Sequence, residues 1–151
     1  MNTITTPAKM SLLKGKDQVL DAISIENYRY ERYKVPFCLA AISTENVKHF
    51  EYIRKYIRKT DILISLSEHC ACIALASTEI QDAIKMSENF IRNHATLGND
   101  NRIFIGVTSV KHTHHNYDIV TRAFYSLDKA KEQNISAVED DNILENMKAI
   151  I

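Results

Sequence analysis

The sequence predicts an α+β domain with a ferredoxin-like βαββαβ core, in which helices pack on an antiparallel sheet. Segments with helical and strand periodicity alternate along the chain in the order α-β-α-β-β-α-β-α-(β). Two of the strand segments are neighbours, joined by a short polar turn, as in a hairpin. The 151 residues, 45% of them hydrophobic and 25% charged, fit one globular domain with a buried core.

Four segments have apolar residues at every third or fourth position, which is typical of amphipathic helices. They span residues 12–33, 44–59, 77–94 and 116–133, and Thr44 is the expected N-cap of the second. The residues that carry this spacing are, for the first helix, Val19, Leu20, Ile23, Asn27 or Tyr28, and Tyr30. For the other three helices they are Val47, Phe50, Ile53 and Ile57; Ile80, Ala83, Ile84, Ser87 and Ile91; and Ile119, Val120, Ala123, Leu127 and Ala130.

Strand patterns fill the intervals between these helices. Residues 36–43 form an apolar run that begins at a proline, which favours a buried strand. Residues 61–66 and 70–76 form the predicted hairpin, residues 102–110 are rich in β-branched side chains, and residues 135–138 form a weak strand. The hairpin turn, Ser67-Glu68-His69, lacks the glycine or Asn-Gly pair that tight hairpins favour.

The chain divides into a polar, flexible leader over residues 1–11, one domain over residues 12–138, and a tail over residues 139–151 that is predicted to be helical. The tail has an apolar stripe at helical spacing, which must cover a surface of its own domain or of a partner. Its members are Ile143, Leu144, Met147, Ile150 and Ile151.

Charge and cysteine content exclude several function classes. The formal net charge is zero, so no overall positive field attracts nucleic acid or an anionic membrane. No stretch is long enough to span a bilayer and no signal peptide is present, which predicts a cytoplasmic protein. Cys38, Cys70 and Cys72 lie in predicted strands and are expected to be small buried hydrophobes in a reducing compartment.

Several segments together resemble the GGDEF domain of diguanylate cyclases. Residues 58–75, RKTDILISLSEHCACIAL, are similar to the family pattern RxxDxxxRxGGDEFxxxL without a gap. Residues 122–131, RAFYSLDKAK, are similar to RADxALYxAK, and IFIGVTSV over residues 103–110 resembles the SIGVA strand. Residues 12–23 resemble the opening LTGLxNR element at Leu13 and Gly15. The resemblance implies a GGDEF or nucleotidyl-cyclase-like fold.

The same resemblance implies that the catalytic features are degenerate. Where the family has its GGDEF signature, this chain has the segment Ser67, Glu68, His69, Cys70 and Ala71. His69 stands at the acidic residue that helps to hold Mg²⁺, an ion that prefers oxygen ligands, and Ser43 stands at the other metal-binding aspartate.

Two further family features differ. Only residues 44–57 separate Ser43 from Arg58, which leaves room for one helix and no guanine-reading segment. Lys131 matches a phosphate-contacting lysine, but the second basic contact that should follow it is absent. Because phosphoryl transfer depends on positioned metal and basic groups, we expect no diguanylate cyclase activity, no metal and no cofactor.

One family motif is intact. Arg58 and Asp61 have the RxxD spacing of the family's inhibitory site for cyclic di-GMP, a ligand that an arginine fork and a carboxylate suit chemically. The structural alternative is an arginine at a helix C-terminus and an aspartate in a turn. The family site also needs a further arginine, for which Arg92 is the nearest candidate, although it is out of register.

Three other patterns leave alternatives open. His112, His114 and His115 could bind zinc or copper, although a solvated polar loop explains them as well. Tyrosine and basic residues alternate over 28–34 and 52–59, which suits a partner surface or an amphipathic helix. A nucleotide-processing enzyme could also have been rebuilt on Glu45, Glu68 and His69.

The first prediction is therefore a catalytically silent regulatory or protein-interaction domain of bacterial-type signalling, with a protein partner or a second copy of itself. The alternatives are a cyclic di-GMP receptor and a divergent nucleotide-processing enzyme.

Overall fold

A computed structural model describes residues 7–95, 102–112, 116–133 and 137–140 of the chain. The helices are α1 (Pro7–Tyr33), α2 (Lys48–Tyr56), α3 (Ile80–Ala95) and α4 (Asn116–Glu132). The strands are β1 (Phe37–Thr44), β2 (Ile62–Ser65), β3 (Cys70–Ala76), β4 (Ile103–Ser109) and β5 (Ala137–Asp140). A short 3₁₀ turn, Val110–His112, follows β4.

The strands form one mixed sheet in the order β2-β3-β1-β4-β5. The first four are antiparallel and have the strand order of a ferredoxin-like βαββαβ core, which confirms the predicted fold class. β5 is added in parallel to β4, because α4 carries the chain back along the sheet between these two strands. β5 ends at Asp140, two residues beyond the predicted end of the domain.

Helices cover both faces of the sheet, whereas the sequence predicts them on one face only. α2 and α3, which belong to the βαββαβ core, pack on one face with Ala40 and Ile42 of β1. α1 and α4 pack on the other face with Leu39 and Ala41. Because both faces of the sheet are covered, the β1 side chains on either face are buried and must be apolar. This explains the uninterrupted apolar run at the start of the strand.

Two helix starts differ from the predictions. α1 begins at Pro7, inside the segment predicted as a leader, and proline is favoured at the first position of a helix. The prediction of Thr44 as N-cap of α2 is wrong: Thr44 is the last residue of β1, where its amide donates a backbone hydrogen bond to the carbonyl of His69. Val47 occupies the N-cap position and makes no side-chain capping bond.

The predicted core of α4 is confirmed at all five positions, and that of α3 is confirmed in part. Ala83 and Ser87 of α3 are buried, but Phe90, not Ile91, is the large side chain buried below this helix.

α4 lies unusually close to the sheet at Gly106 of β4. A Cβ atom at this position would overlap the backbone nitrogen of Leu127 and the carbonyl oxygen of Ala123. Glycine is therefore required here by the close approach of two backbones, not by an unusual dihedral angle.

None of the helices in the described part of the chain combines the length and the hydropathy needed to cross a membrane.

Candidate functional site

The tip of the β2–β3 hairpin closes without glycine. The amides of Leu66 and Ser67 both donate to the carbonyl oxygen of Cys70, at 2.9 and 3.1 Å, and the amide of His69 donates to the Ser67 hydroxyl. Ser67, Glu68 and His69 all have negative φ, since Lys34 and Ser77 are the non-glycine residues with positive φ in the described chain. The turn therefore needs no left-handed residue, and all three residues are exposed.

The hairpin tip meets the end of β1, as the resemblance implies for the two metal-binding positions. Ser43 pairs with Cys70 on one side and with Phe104 on the other. The His69 imidazole turns back onto β1, where its Nδ1 lies 3.0 Å from the Thr44 carbonyl oxygen. Ser43 and His69 thus lie at the same end of the sheet.

A second histidine lies on the other side of Thr44. The Nδ1 atom of the buried His49 is 2.5 Å from the Thr44 hydroxyl oxygen, and burial lowers the pKa of His49. Sequence analysis missed His49, although its position one residue before Phe50 of the apolar stripe places it beside the buried face of α2. We refer to Ser43, Thr44, His49 and His69 as the strand-end cluster.

The acid nearest to this cluster is already paired. Glu45 accepts a hydrogen bond from the Arg102 side chain at 3.0 Å, and both side chains are about half exposed. Hydrogen bonds from Arg102 lower the pKa of Glu45, and the charge of His69 lowers it further. Glu45 and His69 are thus near each other, whereas Glu68 is exposed at the tip. The described cavities lie on α1 and between α3 and β5, away from these three residues.

This donor set does not fit the Mg²⁺ that the fold family implies. The strand-end cluster offers hydroxyl groups, two imidazoles and a carbonyl, whereas Mg²⁺ requires carboxylate and phosphate oxygens. Among the described residues, no three His, Cys, Asp or Glu side chains are arranged to hold a metal ion. His114 and His115 lie outside the described residues, as does the side chain of His112.

Arg58 and Asp61 lie at the opposite end of the hairpin and are bonded to each other. The Arg58 Nε and Nη2 atoms donate to the two carboxylate oxygens of Asp61, at 3.2 and 3.0 Å. The backbone amides of Arg58 and Ala76 also donate to this carboxylate. The Asp61 side chain is completely buried, and each of its oxygens is used inside the protein.

The guanidinium of Arg58 also joins this turn to the end of β3. Its Nη2 atom donates to the Ala76 carbonyl at 2.5 Å and to the Thr78 hydroxyl at 2.7 Å. Even so, the Arg58 side chain is 53% exposed. We call Arg58, Asp61, Ala76 and Thr78 the arginine clamp.

The other predicted basic residues lie away from the clamp. Arg92 is in the last turn of the 16-residue helix α3, which starts beside Thr78, and it donates to Asn89. Twelve residues of α3 separate Arg92 from the start of this helix, a rise of about 18 Å along its axis. Lys131 lies in the last turn of α4 and is half-buried.

A single helix of nine residues, α2, connects β1 to the turn before β2. This agrees with the prediction that the segment has room for one helix only. α2 buries His49, Phe50 and Ile53 against the sheet face and places Tyr52 and Tyr56 against each other, with Tyr56 edge-on to Phe90 of α3. The segment thus acts as a covering layer of the sheet.

Comparisons with known proteins identify the fold. A scan against protein-family models finds no match, and a search of curated proteins finds none either. Solved structures do match: the GGDEF domain of TpbB, also called YfiN, from Pseudomonas aeruginosa superposes with a TM-score of 0.74 at 14% identity, covering 86% of this chain and 94% of that one.

Two further structures extend this result. The active GGEEF domain of a diguanylate cyclase from Vibrio cholerae gives a TM-score of 0.69 at 17% identity, covering 82% of this chain and 94% of that one. The diguanylate cyclase SiaD from Pseudomonas aeruginosa, solved in complex with its activator SiaC, gives 0.72 at 19% identity, covering 91% of this chain and 62% of that one. The chain therefore has the fold of a GGDEF domain, as its sequence motifs predict.

Proposed function

We propose that this chain is a catalytically silent GGDEF-like domain with a regulatory or protein-interaction role in cyclic di-GMP signalling. The observation that carries the proposal is the strand-end cluster. At the position of the metal-binding acid, the His69 imidazole faces the Thr44 carbonyl, and the neighbouring Glu45 is paired with Arg102. A site without carboxylates cannot neutralise a triphosphate through Mg²⁺.

Two further features support catalytic silence. Glu68 brings a negative side chain to the tip where the family has glycine, which opposes the approach of a triphosphate. The nine-residue α2 occupies the segment where the family reads guanine. Loss of one positioned electrostatic group lowers an enzymatic rate by roughly 10²–10³-fold, and several such groups are absent here.

The test is a product assay with GTP and either Mg²⁺ or Mn²⁺. The active GGEEF domain from Vibrio cholerae, assayed in parallel, is the positive control. We expect no cyclic di-GMP from this chain, and turnover of GTP to this product by the purified chain would overturn the proposal. Turnover that is lost when Glu45, Glu68 or His69 is replaced would instead favour the divergent enzyme.

Regulation through a protein partner is supported by analogy of fold. The SiaD structure contains a protein activator, which indicates that a chain of this fold can be joined by a regulatory protein. Cyclic di-GMP is bound in the structure of the GGDEF domain of DgcB from Caulobacter crescentus. Both kinds of partner are therefore candidates for this chain.

A receptor role for cyclic di-GMP is the second proposal, and the half-exposed guanidinium of Arg58 favours it. Because the Asp61 carboxylate is fully engaged, Arg58 would have to contact a ligand phosphate alone, with Asp61 orienting it.

Calorimetric titration with cyclic di-GMP tests the receptor proposal. The variants are Arg58→Ala and, as a matched control, Arg54→Ala, which removes an exposed arginine that bonds Ser65. A receptor would bind the ligand in the wild type and in Arg54→Ala but not in Arg58→Ala. Absence of binding by the wild type at about 1 mM ligand would leave the clamp with a structural role only.

A further inference from the structure

The outer face of α1 has a stripe of exposed residues with a regular spacing. The inner face of this helix is buried in the core through Val19, Ala22 and Ile23. On the outer face lie Asp21, Ile25, Tyr28 and Arg32, which we call the outer stripe. They are spaced four, three and four residues apart along the helix. These steps are those of alternating a and d positions in a coiled coil.

The centre of the outer stripe is apolar and open to solvent. Ile25 and Tyr28 are each 57% exposed, and the nearby Tyr33 is 65% exposed. Together with Ser24 and Arg29, these three side chains line a surface cavity of about 420 Å³. Half of the large hydrophobic side chains that are exposed in the described chain thus lie on this one helix face. A cluster of this kind marks a contact surface more often than isolated exposed residues do.

The charges on this face are divided between its two halves. Asp17 and Asp21 lie towards the N-terminal half and are exposed, whereas Arg29 and Arg32 lie towards the C-terminal end. The Arg32 guanidinium lies 5.9 Å from the ring centroids of both Tyr28 and Tyr33, so the aromatic rings hold its charge over the stripe. The stripe is therefore apolar in the middle, acidic at one end and basic at the other.

We propose that the outer stripe binds the outer stripe of a second copy of this chain in an antiparallel, two-fold symmetric pair. With the two-fold axis between residues 26 and 27, Ile25 packs on Tyr28 of the second copy, and Asp21 meets Arg32 of the second copy. Each contact occurs twice, as symmetry requires. Every layer then combines an a position with a d position, which is the arrangement of antiparallel helix pairs.

The charge pattern selects this orientation over a parallel one. A parallel pair would set Asp21 against Asp21 and Arg32 against Arg32, and both contacts are repulsive. The antiparallel pair converts both into attractions and leaves the charges at the rim of an apolar centre, as in most protein interfaces. Because only four residues of each copy form the stripe, we expect weak association, with a dissociation constant on the order of 10–100 µM.

Charge reversal tests both the interface and its orientation. Asp21→Arg and Arg32→Asp each place like charges opposite each other twice in a homodimer, so each variant should be weakened about tenfold or more. An equimolar mixture of the two variants should form a heterodimer, since every ion pair is then restored. The double variant Asp21→Arg/Arg32→Asp should also self-associate, because both ion pairs are restored with reversed signs. In a parallel pair, by contrast, each single reversal would leave the like-charge contacts, and therefore the association, unchanged.

Sedimentation velocity of the full chain over about 10 µM to 1 mM measures these states, and the circular dichroism of each variant confirms that it is folded. Lys85→Asp, a charge reversal at an exposed site of α3, is the matched control and should associate like the wild type. A monomeric wild type at the highest concentration would overturn the proposal. So would a dimer whose association is unchanged by the single reversals.

Discussion

The two ends of the β2–β3 hairpin differ in what they retain of the GGDEF motif. At one end, the arginine clamp keeps both charged residues of the RxxD motif, and Asp61 is buried with each oxygen bonded. At the other end, the strand-end cluster has a serine and a histidine where the resemblance implies two metal-binding acids.

The difference teaches which residues the fold itself requires. Asp61 and Arg58 hold the turn before β2 against the end of β3, so the hairpin depends on them whether or not a ligand binds. At the other end, backbone pairing of Ser43 with Cys70 and of Thr44 with His69 joins the hairpin to β1, and no acidic side chain takes part. The hairpin therefore depends on charged side chains at one end and on backbone pairing at the other.

Removal of the clamp carboxylate should have the largest effect on stability. Asp61→Ala leaves two backbone amides without an acceptor and Arg58 without its counter-ion, and we expect a loss of about 3 kcal/mol in the free energy of unfolding. Urea denaturation measures this loss, with Asp61→Asn as a control that keeps one acceptor and should lose less. A loss below about 1 kcal/mol would mean that the clamp does not hold the hairpin.

A buried carboxyl on α1 should give a smaller effect of opposite sign. Burial raises the pKa of Glu26, although the charge of Arg29 opposes this, and its Oε1 atom has no hydrogen-bond donor. A raised pKa means that Glu26 favours folding below its ordinary pKa and opposes it once the pH exceeds the raised value.

Glu26→Gln should therefore stabilise the protein at pH 7, by about 1 kcal/mol, because a buried charge is removed. Thermal unfolding at pH 7 measures the change. Glu31→Gln, at an exposed site of the same helix, is the matched control and should change little. Destabilisation by Glu26→Gln would show that the ion pair with Arg29 outweighs burial.

At the strand-end cluster, we expect a pH-dependent effect that is smaller still. Burial lowers the pKa of His49, so the folded protein favours the neutral imidazole that bonds Thr44. The unfolded chain takes up the proton first as the pH falls below about 6.5, so this contribution is present above that pH and is lost below it. His49→Gln should reduce the fall of the urea midpoint between about pH 7 and pH 5; an unchanged pH profile would contradict this assignment.

The smallest effect is expected at the hairpin tip. His69→Ala removes an exposed side chain and its bond to the Thr44 carbonyl, while the backbone bonds that close the turn remain. We expect a change below about 0.5 kcal/mol in the free energy of unfolding. A loss comparable to that of Asp61→Ala would show that the two ends are equally structural, and the contrast between them would disappear.

The sequence was sufficient for the fold because local periodicity and the arrangement of elements agree. The strand run that begins at Pro36 and the core face of α4 follow directly from apolar spacing. The start of α2 could not be predicted from apolar spacing. Thr44 is a residue type that favours the N-cap position, but its amide bonds the carbonyl of His69 and keeps it in the sheet. Pairing between distant segments decided that boundary.

The site was predictable only where the resemblance supplied a position. The resemblance assigns His69 to the signature segment and Ser43 to the end of the first strand, and in the structure these two residues lie at one end of the sheet. His49 matches no motif, and its bond to Thr44 depends on how α2 packs. The sequence also could not show that Asp61 is fully engaged, because two of its donors lie in Ala76 and in the backbone of Arg58.

The contact between α4 and β4 at Gly106 limits which substitutions this chain can accept. Any side chain there would have to lift α4 from the sheet and open a gap beneath Ala123 and Leu127. A library that samples all residues at position 106 and selects for folded protein would consequently recover glycine alone. The absence of a side chain at Gly106 therefore sets the distance between α4 and the sheet.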